Sequence, residues 1–97
     1  MYARVTIVQI QPGKTEEAIG IYRDSVVPAA KQQKGFKGLH LLTDRNTGKG
    51  ISVVLWETEA EMKAGESSGW YQQQLAKFKD LFGAPPVREL YEVSVQA

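Results

Sequence analysis

Phe36-Lys37-Gly38-Leu39-His40-Leu41-Leu42-Thr43, the polar turn Asp44-Arg45-Asn46-Thr47-Gly48-Lys49-Gly50, and Ile51-Ser52-Val53-Val54-Leu55-Trp56-Glu57 follow one another in the middle of the chain. Two runs of β-branched and large apolar residues joined by a short glycine-containing loop read as an antiparallel hairpin. Successive side chains of a strand point to opposite faces. Val53 and Leu55 therefore share one face while Val54 and Trp56 share the other, and Leu39 and Leu41 oppose Leu42. A sheet with one face in water alternates apolar and polar residues. This hairpin is apolar on both faces.

The same pattern recurs outside the hairpin. Residues 2–10 form a first strand, with Val5 and Ile7 on one side and Val8 and Ile10 on the other; Pro12-Gly13 ends it. Thr15 reads as the N-cap of a helix reaching about Lys34, with Glu16 and Glu17 near the positive end of its dipole. Ile19, Tyr22, Val26 and Ala30 form its apolar stripe, Pro28 predicts a kink or break, and Gly35 closes it as a left-handed cap. Beyond the hairpin, Thr58 caps a second helix with Glu59 and Glu61 in its first turn. Ser67-Ser68-Gly69 interrupts that helix, which resumes from Trp70 to about Leu81 and buries Leu75, Phe78 and Phe82 with Leu81 beside them. Gly83-Ala84-Pro85-Pro86 is a stiff connector to a last strand, Val87 to Val95, with Tyr91, Val93 and Val95 on one side.

The order is thus βαββαβ. Right-handed strand–helix–strand crossovers sharing a hairpin give an α+β, ferredoxin-like domain: a four-stranded antiparallel sheet with two helices on one face. The helices leave the other face bare, and its residues are apolar too. Each such side chain gains about 1.5–3 kcal/mol when fully buried, and a second copy of the chain is the commonest cover for such a patch. The pattern predicts a homodimer through the sheet face.

Ninety-seven residues make one domain, 1–97. The net charge of +1, with Lys and Arg scattered among Asp and Glu, offers no basic stripe for nucleic acid. The absence of cysteine removes disulfides, thiolate metal sites and a cysteine nucleophile together. No apolar run approaches the roughly 20 residues of a membrane span. Met1-Tyr2-Ala3-Arg4-Val5 does not read as a signal peptide, so a cytoplasmic protein is expected.

Few residues suggest chemistry. His40, the single histidine, lies on a strand and is the one candidate proton acceptor or polar group of a dimer interface, although a structural or surface role outweighs both because no partner is identifiable. One histidine without cysteine also falls short of the three protein ligands of a catalytic zinc, so no metal is expected. Tyr22, Trp70 and Tyr71 are the candidate ligand-binding residues: flat apolar walls suit a planar aromatic guest, and the two phenols add hydroxyls to orient it. Trp56, ending a central strand, reads as core. Gly13-Lys14-Thr15 is not a phosphate loop, since Val8 stands where that motif needs glycine. The Glu16–Glu17 pair and the cluster Glu57, Glu59 and Glu61 are accounted for by helix dipoles.

Gln11-Pro12-Gly13-Lys14, Gly35-Phe36-Lys37-Gly38 and Leu55-Trp56-Glu57-Thr58-Glu59-Ala60 are similar in order and spacing to the antibiotic biosynthesis monooxygenase superfamily of dimeric α/β barrels. The likeness covers nearly the whole chain, and its motifs mark turns and caps. It implies a pocket between helices and sheet in each subunit. It also implies a range of activities: cofactor-free oxygenation of polycyclic phenols or quinols, haem degradation, and members without known activity. The haem-degrading branch carries an Asn on strand 1 and a Trp and a His on helix 2. Thr6, Gly65 and Leu75 stand at those positions here, and Ala64 is followed by Gly65 where many members carry His, so haem degradation is not expected.

The expected function is binding of a small aromatic or quinone-like ligand, with cofactor-independent monooxygenation as the reaction and no cofactor. The alternatives are a non-catalytic ligand-binding or structural dimer, and a cofactor-free isomerase or cyclase using His40 or a carboxylate facing the cavity.

Overall fold

In the computed structural model, which describes residues 1–97, strand β1 (Tyr2–Gln9) is central. It lies between β3 (Lys49–Trp56) and β4 (Val87–Glu92), and β2 (Phe36–Asp44) pairs with the far side of β3. The order is β2-β3-β1-β4 and every pair is antiparallel, as the βαββαβ reading requires. Helix α1 (Thr15–Ile21) passes through a π-helical turn (Tyr22–Val26) into α2 (Val27–Lys31); α3 (Glu59–Ser67) and α4 (Trp70–Ala76) form the second crossover.

The register sorts the side chains into rows. Leu39, Val54, Arg4 and Leu90 lie side by side on one face, as do Leu41, Ser52, Thr6 and Arg88. The helices cover this face. Ile10, Ala18, Tyr22, Val26, Phe78 and Leu81 make one buried cluster, and Val54, Trp56 and Met62 a second. Trp56 packs edge-on against Phe36 and Trp70 and is core, as its place at the end of a central strand implies. On the other face the rows are His40, Val53, Val5 and Glu89, then Leu42, Ile51, Ile7 and Val87, then Leu55, Ala3 and Tyr91. No helix covers them, and Leu42, Val87 and Tyr91 are each about half exposed (53%, 52% and 51%).

Local signals hold at several junctions. Thr58 Oγ1 accepts the Glu61 N–H at 3.1 Å, a side-chain cap. Gly69 takes a φ of +85°, the left-handed region that splits the second helical stretch. Five expectations are corrected. The first helical stretch ends at Lys31 with Gln32 as its cap, so Gly35, at a φ of +86°, lies in the turn before β2 and not at the helix end. Thr15 is the first helical residue and not the cap; Lys14 occupies the cap with no side-chain hydrogen bond, and its carbonyl takes the Ala18 N–H at 3.0 Å. Pro28 does not break the helix. The preceding turn widens to π geometry, with Val27 N–H donating to the Tyr22 carbonyl, and Pro28 enters at the start of α2, where its missing N–H is tolerated. The second helix stops at Ala76, and residues 77–81 continue in tight turns that drive Phe78 and Leu81 into the core. The last strand ends at Glu92, leaving Val95 90% exposed.

Candidate functional site

A cavity of about 90 Å³ lies between the sheet and the helices. Its floor is the helix-facing side of β1 and β3 (Arg4, Thr6, Val8, Ser52, Val54). The first helical stretch supplies Ala18, Ile19, Tyr22 and Val26; the second supplies Trp70, Tyr71, Gln74, Leu75 and Phe78. Most of the wall is apolar, so a guest gains by leaving water and each polar group has a marked effect on its orientation. Cavities of about 150 Å³ take up one benzene-sized molecule, which sets the scale for a single small ring with local adjustment.

The polar groups converge on the floor. Thr6 and Ser52 are cross-strand partners, so their side chains stand next to one another. Tyr71 reaches down from α4 to Thr6 Oγ1 at 2.8 Å, and Tyr22 reaches from the opposite wall to Ser52 Oγ at 2.7 Å. Four hydroxyls thus form one row across the middle of the sheet. The π turn helps to place Tyr22: Ala18, Tyr22, Val26 and Ala30, four residues apart, are all buried. Burial pushes the Tyr22 phenol above its ordinary pKa, and the Ser52 hydrogen bond partly offsets this. Gln74, itself buried, accepts from Lys77 Nζ at 2.7 Å through Oε1.

Arg4 is the residue that sequence reading missed. It is 2% exposed although it carries a full charge. Its Nε donates to Glu66 Oε2 at 3.2 Å, and its Nη2 donates to the Met62 carbonyl. The guanidinium lies 4.5 Å from the centre of the Tyr71 ring and 5.7 Å from that of Trp56, where cation–π attraction offsets part of the lost hydration. Burial, the largest cause, lowers its pKa to about 10. Gly65 makes room for it: a Cβ there would meet Arg4 Nη2 at 3.2 Å and Trp70 Cε3 at 3.4 Å. The available signal was an arginine sharing a strand face with Val8 and Ile10, opposite a helical glycine.

The candidates named from sequence separate cleanly. Tyr22, Trp70 and Tyr71 all line the cavity. His40 does not: it is exposed on the opposite face of the sheet, in the row of Val53 and Val5. The charged lining residues are Arg4 and Lys49, both cationic, and no carboxylate or histidine joins them. No group of three or more His, Asp or Glu side chains is assembled to hold a metal ion. The positions where a haem-degrading relative carries Asn, Trp and His hold Thr6 bonded to Tyr71, Gly65 packed under Arg4 and Trp70, and apolar Leu75. This donor set does not fit haem iron. No helix is long and apolar enough to cross a membrane.

Known proteins give a consistent picture. The sequence model of the family described as antibiotic biosynthesis monooxygenase matches residues 1–77. The uncharacterized Mycobacterium tuberculosis protein Rv2557 is 33% identical over 98 residues, 97% of this chain and 41% of its own length. The chain therefore spans about two fifths of that relative. Among solved structures, a Streptomyces coelicolor monooxygenase from the gene ActVA-Orf6, in complex with nanaomycin D, superimposes with a TM-score of 0.81 at 12% identity, covering 99% of this chain and 89% of its own. SnoaB, a cofactor-independent oxygenase from Streptomyces nogalater, gives 0.74 at 12% identity, with 98% and 94% covered. At such identities these two likenesses speak for the fold alone.

Proposed function

This chain belongs to the antibiotic biosynthesis monooxygenase family, and we propose that its cavity binds a small phenolic or quinol-like molecule and oxygenates it without a cofactor. The observation that carries the reading is the row of hydroxyls, Tyr71–Thr6 beside Ser52–Tyr22, at the floor of an otherwise apolar cavity. Apolar walls accept the ring, and the hydroxyls donate to or accept from its oxygen. A cofactor-independent oxygenase and a monooxygenase holding nanaomycin D share this fold, so the fold itself can house such chemistry.

The chemistry asks little of the protein. A phenol that loses its proton becomes electron-rich enough to reduce dioxygen. Electron transfer and carbon–oxygen bond formation at a ring C–H give a hydroperoxide. Loss of water then leaves a quinone, so one oxygen atom enters the product and the other leaves as water. The chain's part is to hold the ring, exclude solvent and favour the deprotonated form.

A second reading has its own support. No histidine or carboxylate lines the cavity to take the phenolic proton, which favours a protein that binds such a molecule without transforming it. The isomerase or cyclase alternative fares worse, because it needs His40 or a carboxylate facing the cavity and neither is there. Oxygen consumption across a panel of hydroquinones and polyphenols, run beside direct binding measurements, separates the first two. Uptake of one dioxygen per quinone formed, with one labelled atom from 18O2 in the product and no hydrogen peroxide released, supports the oxygenase. Binding without uptake supports the carrier, and neither sinks both.

We also propose that two copies pair through the uncovered sheet face. Val5, Ile7, Leu42, Ile51, Val53, Leu55, Val87 and Tyr91 lie there without a helix over them, a patch of the kind that marks association surfaces.

A further inference from the structure

Two arginines share one carboxylate beneath the cavity. Glu66 receives Arg4 on Oε2 and Arg88 on Oε1. Two positive charges against one negative leave the cluster with a net positive charge. Arg88 is 47% exposed and can draw on water for its remaining hydration, whereas Arg4 is nearly completely buried. Of the Arg4 guanidinium nitrogens, Nε is committed to Glu66 and Nη2 to the Met62 carbonyl. Nη1 makes no hydrogen bond within the chain, and Arg4 is part of the cavity wall. Nη1 is not sealed off with the rest of the side chain and keeps accessible surface, so its donors are free to meet water or a guest. The other charged residue of the wall, Lys49, has the same sign.

We propose that Arg4 reads the charge of the guest, so that the cavity takes its aromatic ligand as an anion with the anionic oxygen directed at Arg4 Nη1. This rests on the cavity being the ligand site, as inferred above, and narrows the class of ligand to acidic phenols held as phenolates. Geometry favours phenolate over a more distant acidic group. Arg4 flanks Thr6 two residues along the same strand face, and its guanidinium stacks on Tyr71, whose hydroxyl reaches Thr6. An oxygen bound among the floor hydroxyls is therefore within the field of the guanidinium. The arrangement also answers the missing base: a site that stabilises phenolate lowers the acidity barrier, and the proton can leave before the ligand is enclosed.

The test uses 4-nitrophenol, whose phenolate and neutral forms absorb at different wavelengths, with 4-nitroanisole as an analogue that cannot ionise. The full chain should bind phenolate at least about tenfold tighter than the neutral phenol, seen as a fall of at least about one unit in the pKa of bound nitrophenol. Glu66→Gln removes the carboxylate that competes for Arg4 and should increase this preference. Arg4→Met should abolish it while nitroanisole still binds. If Arg4→Met fails to fold, the native and Glu66→Gln proteins still decide. Nitroanisole and nitrophenol binding with no phenolate preference in the native chain overturns the role of Arg4 and leaves the cavity reading intact. A preference that falls in Glu66→Gln also overturns it. If neither compound binds, the cavity reading fails and this inference fails with it.

Discussion

Replacing Leu42 with Asp should separate pairing from folding. Leu42 lies on β2 at the uncovered face, in the row of Ile51, Ile7 and Val87, and is 53% exposed in the single chain. Full burial of a leucine contributes about 1.5–3 kcal/mol, so covering the exposed half contributes about 1 kcal/mol per copy. A two-fold interface uses each residue twice, which makes the lost contact about 2 kcal/mol per dimer. Enclosing a carboxylate adds a desolvation cost on the order of a further kcal/mol or more for each copy. Together these should weaken the proposed dimer by about 4 kcal/mol or more, a factor of roughly a thousand in Kd. The fold of the single chain should change by less than about 1 kcal/mol, because the substituted side chain is half in water and lies on an edge strand. Sedimentation equilibrium across the micromolar range, with circular dichroism of both proteins at the lowest concentration, reads the two effects apart. A native chain that stays monomeric through that range refutes the reasoning, and so does a Leu42→Asp variant that pairs as tightly as the native protein.

The floor of the cavity gives a second prediction. Tyr22→Phe leaves the Ser52 hydroxyl without its 2.7 Å partner and should cost about 1–2 kcal/mol; adding Ser52→Ala should recover about 1 kcal/mol of the summed loss in a double-mutant cycle, and strict additivity would remove the hydrogen bond from the account. Gly69→Ala meets no neighbour within 4 Å but keeps a φ of +85°, so it should lose about 1–2 kcal/mol from backbone strain alone, read as a fall in Tm of about 4–8 °C per kcal/mol. Burial raises the Tyr22 pKa, so above pH 10 the unfolded chain loses this proton while the folded chain keeps it. Its contribution to stability is complete below pH 10 and declines as pH rises through the folded value. Tyr2 and Tyr91 are raised too, by Glu92 and Glu89, so ultraviolet titration of tyrosinate should show a late phase that Tyr22→Phe reduces by one tyrosine, and an unchanged late phase in that variant would contradict the assignment.

The cavity is partly legible in the sequence. Tyr22 can be placed because it falls on the apolar stripe of the first helix, and Trp70 and Tyr71 because Ser67-Ser68-Gly69 breaks the second helix just before them. Arg4 is not legible there. A charge two residues from Thr6 reads as solvent-facing until Glu66, sixty-two residues later, is known to meet it. His40 misleads for the complementary reason: a strand places it on one face or the other, and which face the helices cover is not written in the strand. Pro28 signals a kink or a break because proline lacks an N–H; the helix does not break, since a wider turn just upstream absorbs that defect.

Periodicity along the chain was enough to establish the order of strands and helices and the apolar character of both sheet faces, since each depends on residues at most a few positions apart. Only the tertiary structure decided which face the helices would cover, and hence that Thr6 and Ser52 rather than His40 would meet the cavity. It alone also joined Tyr71 to Thr6, sixty-five residues away, and buried Arg4 between Glu66 and the Tyr71 ring. Those contacts come from packing between distant segments, where shape and burial select the partners and local spacing holds no record of them.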